Sequence, residues 1–280
     1  MKFINVRIIA ASVLKIRSFF FKKKPEFCIV TLHNISETQF KWFENFIDFI
    51  DKKYGFINPN DFLAKEKNVN NGVLLTFDDG FRSNRVVAES VLKKYNIKAV
   101  FFITEKFVGL NKTDSFIFSQ KNFYPSSKIS QEKAQDNMAM SWSDVDWLAS
   151  NGHTIGAHTA THKMLSKIDN FDLLQDEIQV SADRLEEKIK NRVRIFAFPF
   201  GSPDSISVKA FELSKNRFDY VFSNVRGSVN KSPDNYFLFR QNIVPGDPLW
   251  LIELIIDGHF DWKHKKTIKF AFQKFYKKLN

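Results

Sequence analysis

The stretch VLLTFDDGFRSN, Val73 to Asn84, decides the fold of this chain. It begins with an apolar run typical of a buried strand, and the run ends in two adjacent carboxylates, Asp78 and Asp79, followed by Gly80. Neighbouring side chains of a strand point to opposite sides, but a glycine turn at the strand end lets both carboxylates face one cleft. An apolar strand that ends in paired acids is where α/β folds place their chemistry. The competing interpretation is a loop in which the acids cap the next helix.

A second motif further along the chain favours a metal site. The sequence GAHTATH, Gly156 to His162, sets His158 and His162 four residues apart, and a helical backbone there would put both rings on one face. One Asp and two His residues supply a mixed oxygen and nitrogen ligand set, which suits zinc and similar divalent ions with a position left for water. Two hydrogen-bonded core histidines are the competing interpretation.

Together the motifs resemble those of the polysaccharide deacetylase family, also called the NodB-homology or carbohydrate esterase 4 family. The TFDDG motif stands at Thr76–Gly80, the histidine motif stands at His158–His162, and the lead-in Met140–Gly156 is also similar. The likeness runs roughly from Glu26 to Val244, and the ordered pair of motifs is more specific than either alone. The resemblance implies an α/β fold, a distorted (β/α) barrel of about seven parallel strands with surrounding helices.

The resemblance also implies a role for each site residue. Asp79, His158 and His162 are expected to hold one divalent metal ion, zinc first, with Co²⁺, Ni²⁺ and Mn²⁺ as alternatives. Asp78 is expected to be the general base. His33, which follows the strand-like run FCIVTL, is expected to be the general acid, and a loop histidine that only hydrogen-bonds is the alternative.

A third motif departs from the family pattern. The segment FAFPFG, Phe196 to Gly201, resembles a cleft wall that normally carries an arginine, and Ala197 stands nearest the place of that arginine. We therefore hypothesise that Arg240, in FLFRQNIVPGD, supplies the guanidinium instead. A backbone N–H near Phe200 is expected to stabilise the oxyanion. The expected substrate and oxyanion residues are Pro199, Phe200, Gly201 and Arg240.

The predicted organisation has three parts: a basic amphipathic segment over residues 1–25, a catalytic domain over 26–262, and a basic helix over 263–280. Residues 110–139 lose hydrophobic periodicity and are predicted to form an irregular, partly mobile flap over the cleft. The helix predicted over Asp172–Asn191 is expected to expose its Glu and Lys residues as a solvated face. The residues predicted to be structural are Cys28, buried as an apolar side chain, and His259, Asp261 and Trp262, which pack at the end of the domain.

Positive charge is concentrated at the two ends of the chain. The formal net charge is +11, and residues 1–24 and 263–280 hold seven Lys or Arg residues each with no acid, which leaves 11 − 14 = −3 for the middle. Basic residues cut the N-terminal apolar segment into runs too short to span a bilayer, and no cleavage signal follows. The ends are interpreted equally well as helices on an anionic membrane surface or as helices packed on the barrel.

The sequence thus predicts a metal-dependent carbohydrate deacetylase, a hydrolase of C–N bonds other than peptide bonds, that acts on N-acetylated sugars of a polysaccharide or glycolipid. The expected partners are an acetylated glycan or lipid-linked sugar and, through the basic ends, a membrane surface. No nucleic-acid recognition motif accompanies the charge. An O-acetyl esterase with the same site, and a non-catalytic glycan-binding relative, are the alternatives. The location expected is cytoplasmic, at the inner membrane face.

Overall fold

Parallel strands make up the centre of the molecule in the computed structural model, which describes residues 27–64, 71–124, 138–229 and 232–276. Over these residues, seven strands form one curled sheet in the order β6-β5-β4-β3-β2-β1-β7. The strands are β1 (Phe27–Leu32), β2 (Gly72–Phe77), β3 (Val100–Ile103), β4 (Thr154–Ala157), β5 (Ile195–Ala197), β6 (Tyr220–Phe222) and β7 (Gln241–Asn242). The predicted NodB-type barrel of parallel strands is confirmed.

Helices surround the sheet and connect successive strands. The α-helices are α1 (Phe40–Lys53), α2 (Pro59–Leu63), α3 (Arg82–Val87), α4 (Lys112–Asn122), α5 (Trp142–Ser150), α6 (Phe171–Gln175), α7 (Ser181–Ile189), α8 (Val208–Arg217), α9 (Leu249–Ile256) and α10 (Lys265–Phe275). A π-helical turn, Asp176–Val180, joins α6 to α7 into one continuous helical segment, and another, Ala88–Leu92, extends α3. None of the described helices is long and apolar enough to cross a membrane.

The strands are apolar on both faces because both faces are covered. Cys28, Val30 and Leu32 of β1 point to the helical layer, whereas Phe27 and Ile29 point to the interior of the barrel. The interior is filled mainly by large aliphatic and aromatic side chains from other strands, among them Leu74, Phe102 and Phe222, and by Leu238 from the segment before β7. Because the strands are parallel, their carboxyl ends share one edge, and that edge carries the candidate site.

One segment closes the barrel between its two edge strands. Leu238 forms a parallel bridge to Phe222 at the end of β6. Three residues later, Gln241 and Asn242 pair with Val30 and Thr31 of β1. We call residues 238–242 the seam segment, and it carries Arg240 into the barrel.

The segment expected to be irregular contains a helix. Residues 112–122 form α4, which Asn111 begins by accepting a hydrogen bond from the Asp114 N–H at 3.0 Å. Its buried positions are Ser115 and Ser119 rather than apolar residues, so hydrophobic periodicity could not reveal it. Residues 125–137 of the predicted flap lie outside the described residues, as does the N-terminal segment 1–25.

Candidate active site

The chemically active side chains meet at the carboxyl edge of the sheet because each follows the end of a strand. Asp78 and Asp79 follow β2, and His158 follows β4. His33 follows β1, and the Pro199–Gly201 segment lies just beyond β5. Convergence of loops from neighbouring parallel strands is the usual way in which this class of fold assembles a site.

Asp79, His158 and His162 form a group able to hold a metal ion. The Oδ1 atom of Asp79 lies 3.4 Å from the Nε2 atom of each histidine, and all three side chains are buried. The three ligand atoms lie within 4.8 Å of one another. The Asp79 Oδ1 atom has no hydrogen-bond partner in the described part of the chain. A buried, unpartnered carboxylate oxygen is costly, so one carboxylate and two imidazoles fit a divalent cation at this point.

Hydrogen bonds on the far side of each ring aim both histidines at Asp79. The His158 Nδ1 atom lies 2.7 Å from the Ala197 carbonyl oxygen, and the His162 Nδ1 atom lies 3.1 Å from that of Asn122. Each Nδ1–H therefore donates to a carbonyl, which leaves the lone pair of Nε2 facing Asp79. Burial lowers the pKa of His162 to about 4, so its ring is neutral at neutral pH, the form that binds a metal.

The backbone from His158 to His162 is not helical, and the helical arrangement considered for it is wrong. Thr159 and His162 have φ angles of 67° and 59°, in the left-handed region. The Thr159 Oγ1 atom accepts a hydrogen bond from the His162 N–H at 2.9 Å. Asp79 also has a positive φ, 80°. Non-glycine residues in this region are strained, and such strain persists only where the surroundings hold it.

A buried acid, Glu177 of the π-helical turn, anchors this loop. Its backbone carbonyl accepts a hydrogen bond from the Ala160 N–H at 3.0 Å. Its side chain accepts one from the Thr161 N–H at 2.8 Å and a second, short one from the Thr161 hydroxyl. Lys163 lies 3.4 Å from the same carboxylate. Glu177 is fully buried, so the expectation that the acids of this helix form a solvated face is wrong here. Its position in the stripe with Leu174 and Ile178 was the available signal.

Asp78 is paired with Arg240 inside the barrel. The Arg240 Nη1 and Nη2 atoms donate to Asp78 Oδ1 and Oδ2 at 2.7 and 2.8 Å, a bidentate arrangement. Arg240 Nε donates to the Ser223 carbonyl at 2.7 Å. Burial acts to raise the pKa of Asp78, but the adjacent guanidinium outweighs it and holds that pKa well below its usual range. A guanidinium thus lies against Asp78 although Ala197 occupies the motif arginine position.

His33 lies at the rim of the same cleft. Its Nε2 atom is 3.9 Å from Asp78 Oδ2, too far for a hydrogen bond, and its side chain is 36% exposed. The ring is therefore beside the buried carboxylate and open to a ligand that enters from solvent.

The Pro199–Gly201 segment forms one wall of the site. The Gly201 N–H donates to the Pro199 carbonyl at 2.6 Å, which folds the chain tightly around Phe200 at a φ of 60°. The Phe200 ring lies 4.8 Å from that of His162 and is 38% exposed. Gly201 itself has a φ of +60°, and a Cβ there would lie 2.3 Å from the Asn224 nitrogen. Only glycine fits that position without moving the backbone.

Aromatic residues make up a second wall of the site. The rings of Phe81, Phe123 and Tyr124 pack together, and the Phe123 ring stands edge-on to His162 at 4.9 Å. Burial, and secondarily Asp79, raises the pKa of Tyr124, which therefore stays protonated. Because Asn122 and Phe123 both contact His162, the end of α4 lies beside the group able to hold a metal ion. The sequence did not reveal this contact.

The residues predicted to be structural lie away from this site. Cys28 is 3% exposed within β1. Asp261 is buried and accepts hydrogen bonds from the Ser228 N–H at 3.1 Å and from Gln241 Nε2 at 3.1 Å. The expectation of packing fails for Trp262, whose side chain is 59% exposed.

Comparison with known proteins gives one family. The family model described as polysaccharide deacetylase matches residues 65–217, more than half of the chain. A curated relative, YxkH of Bacillus subtilis (strain 168), assigned to the polysaccharide deacetylases, is 24% identical over 214 residues. That alignment covers 75% of this chain and 64% of the relative, so the chain spans less than two thirds of the relative's length.

Solved structures share the fold. The Streptococcus pyogenes deacetylase PplD, solved in complex with acetate, superposes with a TM-score of 0.63 at 18% identity and covers 83% of this chain and 99% of that chain. IcaB from Ammonifex degensii superposes with a TM-score of 0.64 at 21% identity, covering 84% of this chain and 98% of that chain. At these identities the similarity establishes the architecture alone.

Proposed function

Because this chain belongs to the polysaccharide deacetylase family, we propose that it is a metal-dependent N-deacetylase acting on N-acetylated sugars of a polysaccharide or glycolipid. The observation that carries the proposal is the difference in surroundings between two adjacent carboxylates. Asp79 faces two histidines with a free buried oxygen, whereas Asp78 is turned to Arg240. One carboxylate is thus available to a cation and the other to a proton.

The residues of the chain suit a hydrolytic reaction. Asp79, His158 and His162 would hold one divalent ion, zinc being favoured by the donor set, and the ion would supply Lewis-acid activation of water and of the acetyl carbonyl. Asp78 stays ionised because Arg240 lowers its pKa, so it is in the form that accepts a proton from the attacking water. A backbone N–H near Phe200, whose ring lies 4.8 Å from that of His162, would donate to the developing oxyanion. Acetate and the free amine are the products.

Protonation of the leaving group would matter more for an amide than for an ester substrate. An amine is a poor leaving group unless it is protonated, whereas the alkoxide of a sugar hydroxyl leaves more readily. His33, which is partly exposed and lies beside Asp78, would donate that proton. We therefore expect His33→Ala to reduce acetate release from an N-acetylated amino-sugar oligomer by about 10²-fold or more, and from an O-acetylated glycan by less.

Metal content and acetate release together test the proposal. Asp78→Asn should abolish acetate release while the metal stoichiometry, measured by elemental analysis after dialysis, stays at one per chain. His158→Ala should lose both metal and activity. His259→Ala, a histidine outside the site, is the matched control and should change neither. Full activity of Asp78→Asn would refute the assignment of the base, and activity of metal-free protein would refute the metal-dependent mechanism.

A further inference from the structure

The last helix presents two different faces. On one, Ala271 and Phe275 of α10 are buried, and the Phe275 ring stacks on that of Phe211 in α8 at 4.8 Å. This half of the segment is therefore packed on the barrel. The other half is open: Phe270 of α10 is 41% exposed, and Trp262, in the 3-10 turn Asp261–His264 that leads into α10, is 59% exposed.

Lysines occupy the open half together with the two aromatic rings. Lys265, Lys266 and Lys269 are all exposed, and we call these three lysines with Trp262 and Phe270 the lysine–aromatic face. No carboxylate lies within ion-pair distance of the three lysines among the described residues, and residues 262–276 contain no acid. Asp261, the nearest acid in sequence, is buried and hydrogen-bonded to Ser228 and Gln241.

Some exposed lysines elsewhere on the molecule are paired with a carboxylate. Lys41 and Lys94 both pair with Glu44, at 2.9 and 2.8 Å, and Lys52 pairs with Asp48 at 2.8 Å. Other exposed lysines, such as Lys93 and Lys209, also have no ion pair among the described residues. The feature that distinguishes this face is therefore the combination of unpaired lysines with exposed aromatic rings.

We propose that the lysine–aromatic face binds an anionic lipid surface. Lysine ammonium groups are attracted to acidic headgroups, and an exposed indole is stabilised at the boundary between headgroups and acyl chains. A nucleic-acid duplex would match the charge equally, but it has no apolar layer to receive Trp262 and Phe270. The combination of charge and exposed rings therefore selects the lipid.

The helix that carries the face also contacts the segment that follows the cleft wall. Lys274, near the end of α10, donates a hydrogen bond from Nζ to the Pro203 carbonyl at 2.8 Å, and Pro203 follows the cleft wall Pro199–Gly201 by two residues. Lipid bound at α10 would therefore lie on the side of the molecule that carries this wall. A lipid-linked acetylated sugar then becomes a suitable substrate, a conclusion that also rests on the proposed function.

Vesicle binding by the full chain tests the proposal independently of activity. The probes are phosphatidylcholine vesicles with and without 30 mol% phosphatidylglycerol, about that fraction giving a strongly anionic surface. The test variant is Lys265→Gln/Lys266→Gln/Lys269→Gln, and the matched control is Lys41→Gln/Lys52→Gln/Lys94→Gln, which removes the same charge from paired lysines. At roughly fivefold per lysine, the test variant should bind anionic vesicles about 100-fold more weakly and the control nearly as well as wild type.

Two further measurements separate lipid from other occupants. Brominated lipid should quench part of the tryptophan fluorescence in wild type but not in Trp262→Phe, because quenching requires contact with the acyl layer. Duplex DNA at the same ionic strength should bind much more weakly than the vesicles. Equal losses in test and control variants, unchanged binding of the test variant, unaltered quenching in Trp262→Phe, or preference for DNA would each overturn the proposal. All substituted side chains are exposed, and thermal unfolding checks that the variants remain folded.

Discussion

The buried pair of Asp78 and Arg240 gives the sharpest test of how this barrel supports its site. Both side chains are almost completely removed from water, and two short hydrogen bonds join them. Replacing Arg240 by Met keeps much of the volume but leaves the Asp78 carboxylate buried and unpaired. Breaking a buried ion pair in this way costs about 3–5 kcal/mol of unfolding free energy. We expect a loss of that size in urea denaturation.

A double-mutant cycle separates the pair from the volume change. Asp78→Asn/Arg240→Met removes both charges, so it should be less destabilised than the sum of the two single variants by about 2 kcal/mol or more. Arg194→Met is the matched control, because Arg194 is joined to Asp219 at 2.6 Å in a half-exposed pair. Its loss should cost under about 1 kcal/mol, since solvent screens an exposed pair.

Acetate release gives the functional half of the same test. Arg240→Met should lose activity even under conditions where it is fully folded, because Asp78 is no longer held in orientation. Arg240→Lys keeps a charge but loses the two parallel hydrogen bonds, so its activity should lie between that of wild type and that of Arg240→Met. A cost below about 1 kcal/mol for Arg240→Met, or additive variants, would refute the energetic argument. Full activity of Arg240→Met would refute the orienting role.

Three further predictions concern other buried groups. Glu177→Gln should weaken metal binding by about tenfold or more in a competition titration with a chelator, because loss of a charge-assisted hydrogen bond releases the His158–His162 loop. The control Asp183→Asn, which changes an exposed acid on α7, should leave metal binding unchanged. Equal metal affinities of the two variants would contradict this prediction. Cys28 should react with a thiol reagent only after unfolding, since burial raises its pKa, and rapid labelling of native protein would disprove it. Burial, and then Lys98, lowers the pKa of His153 to about 4, so its contribution to stability is complete above its unfolded pKa near 6.5 and is lost as the pH falls toward 4. Urea denaturation should show a decrease of up to about 3 kcal/mol over that range that His153→Asn lacks, and parallel curves would count against it.

Local sequence predicts the strands and the three residues able to hold a metal ion, but it does not predict the contacts that surround those three residues. Continuous apolar runs identify β1 and β2 because both faces of each strand are covered. The spacing of His158 and His162 suggests that the two side chains are close together. The observed loop brings them together through positive φ angles at residues that are not glycine, so the residue types did not indicate this backbone conformation. The loop is possible only because Glu177 and the Asn122 carbonyl, distant in sequence, hold it. Such contacts are set by tertiary packing.

Helix α4 and the open face of α10 show the limits of hydrophobic patterning in opposite ways. In α4 the inward stripe is serine, so a real helix has no apolar periodicity. In α10 the pattern is amphipathic, and Ala271 and Phe275 are buried in the packing on the barrel while Phe270 remains exposed. The sequence left barrel packing and a membrane surface equal. One side of α10 packs on the barrel, and membrane contact by its other side stays a proposal. The cytoplasmic location stays a prediction.

The seam segment has a consequence for how the molecule loses function on heating. It is held to β1 by a two-residue strand and to β6 by a bridge at Leu238, and β7 is the last strand in the sheet order, so we expect this segment to open before the central strands. Opening there withdraws Arg240 from Asp78 while the remaining strands stay paired. Inactivation should then precede global melting, and amide protons of residues 238–242 should exchange with deuterium ahead of those in β2.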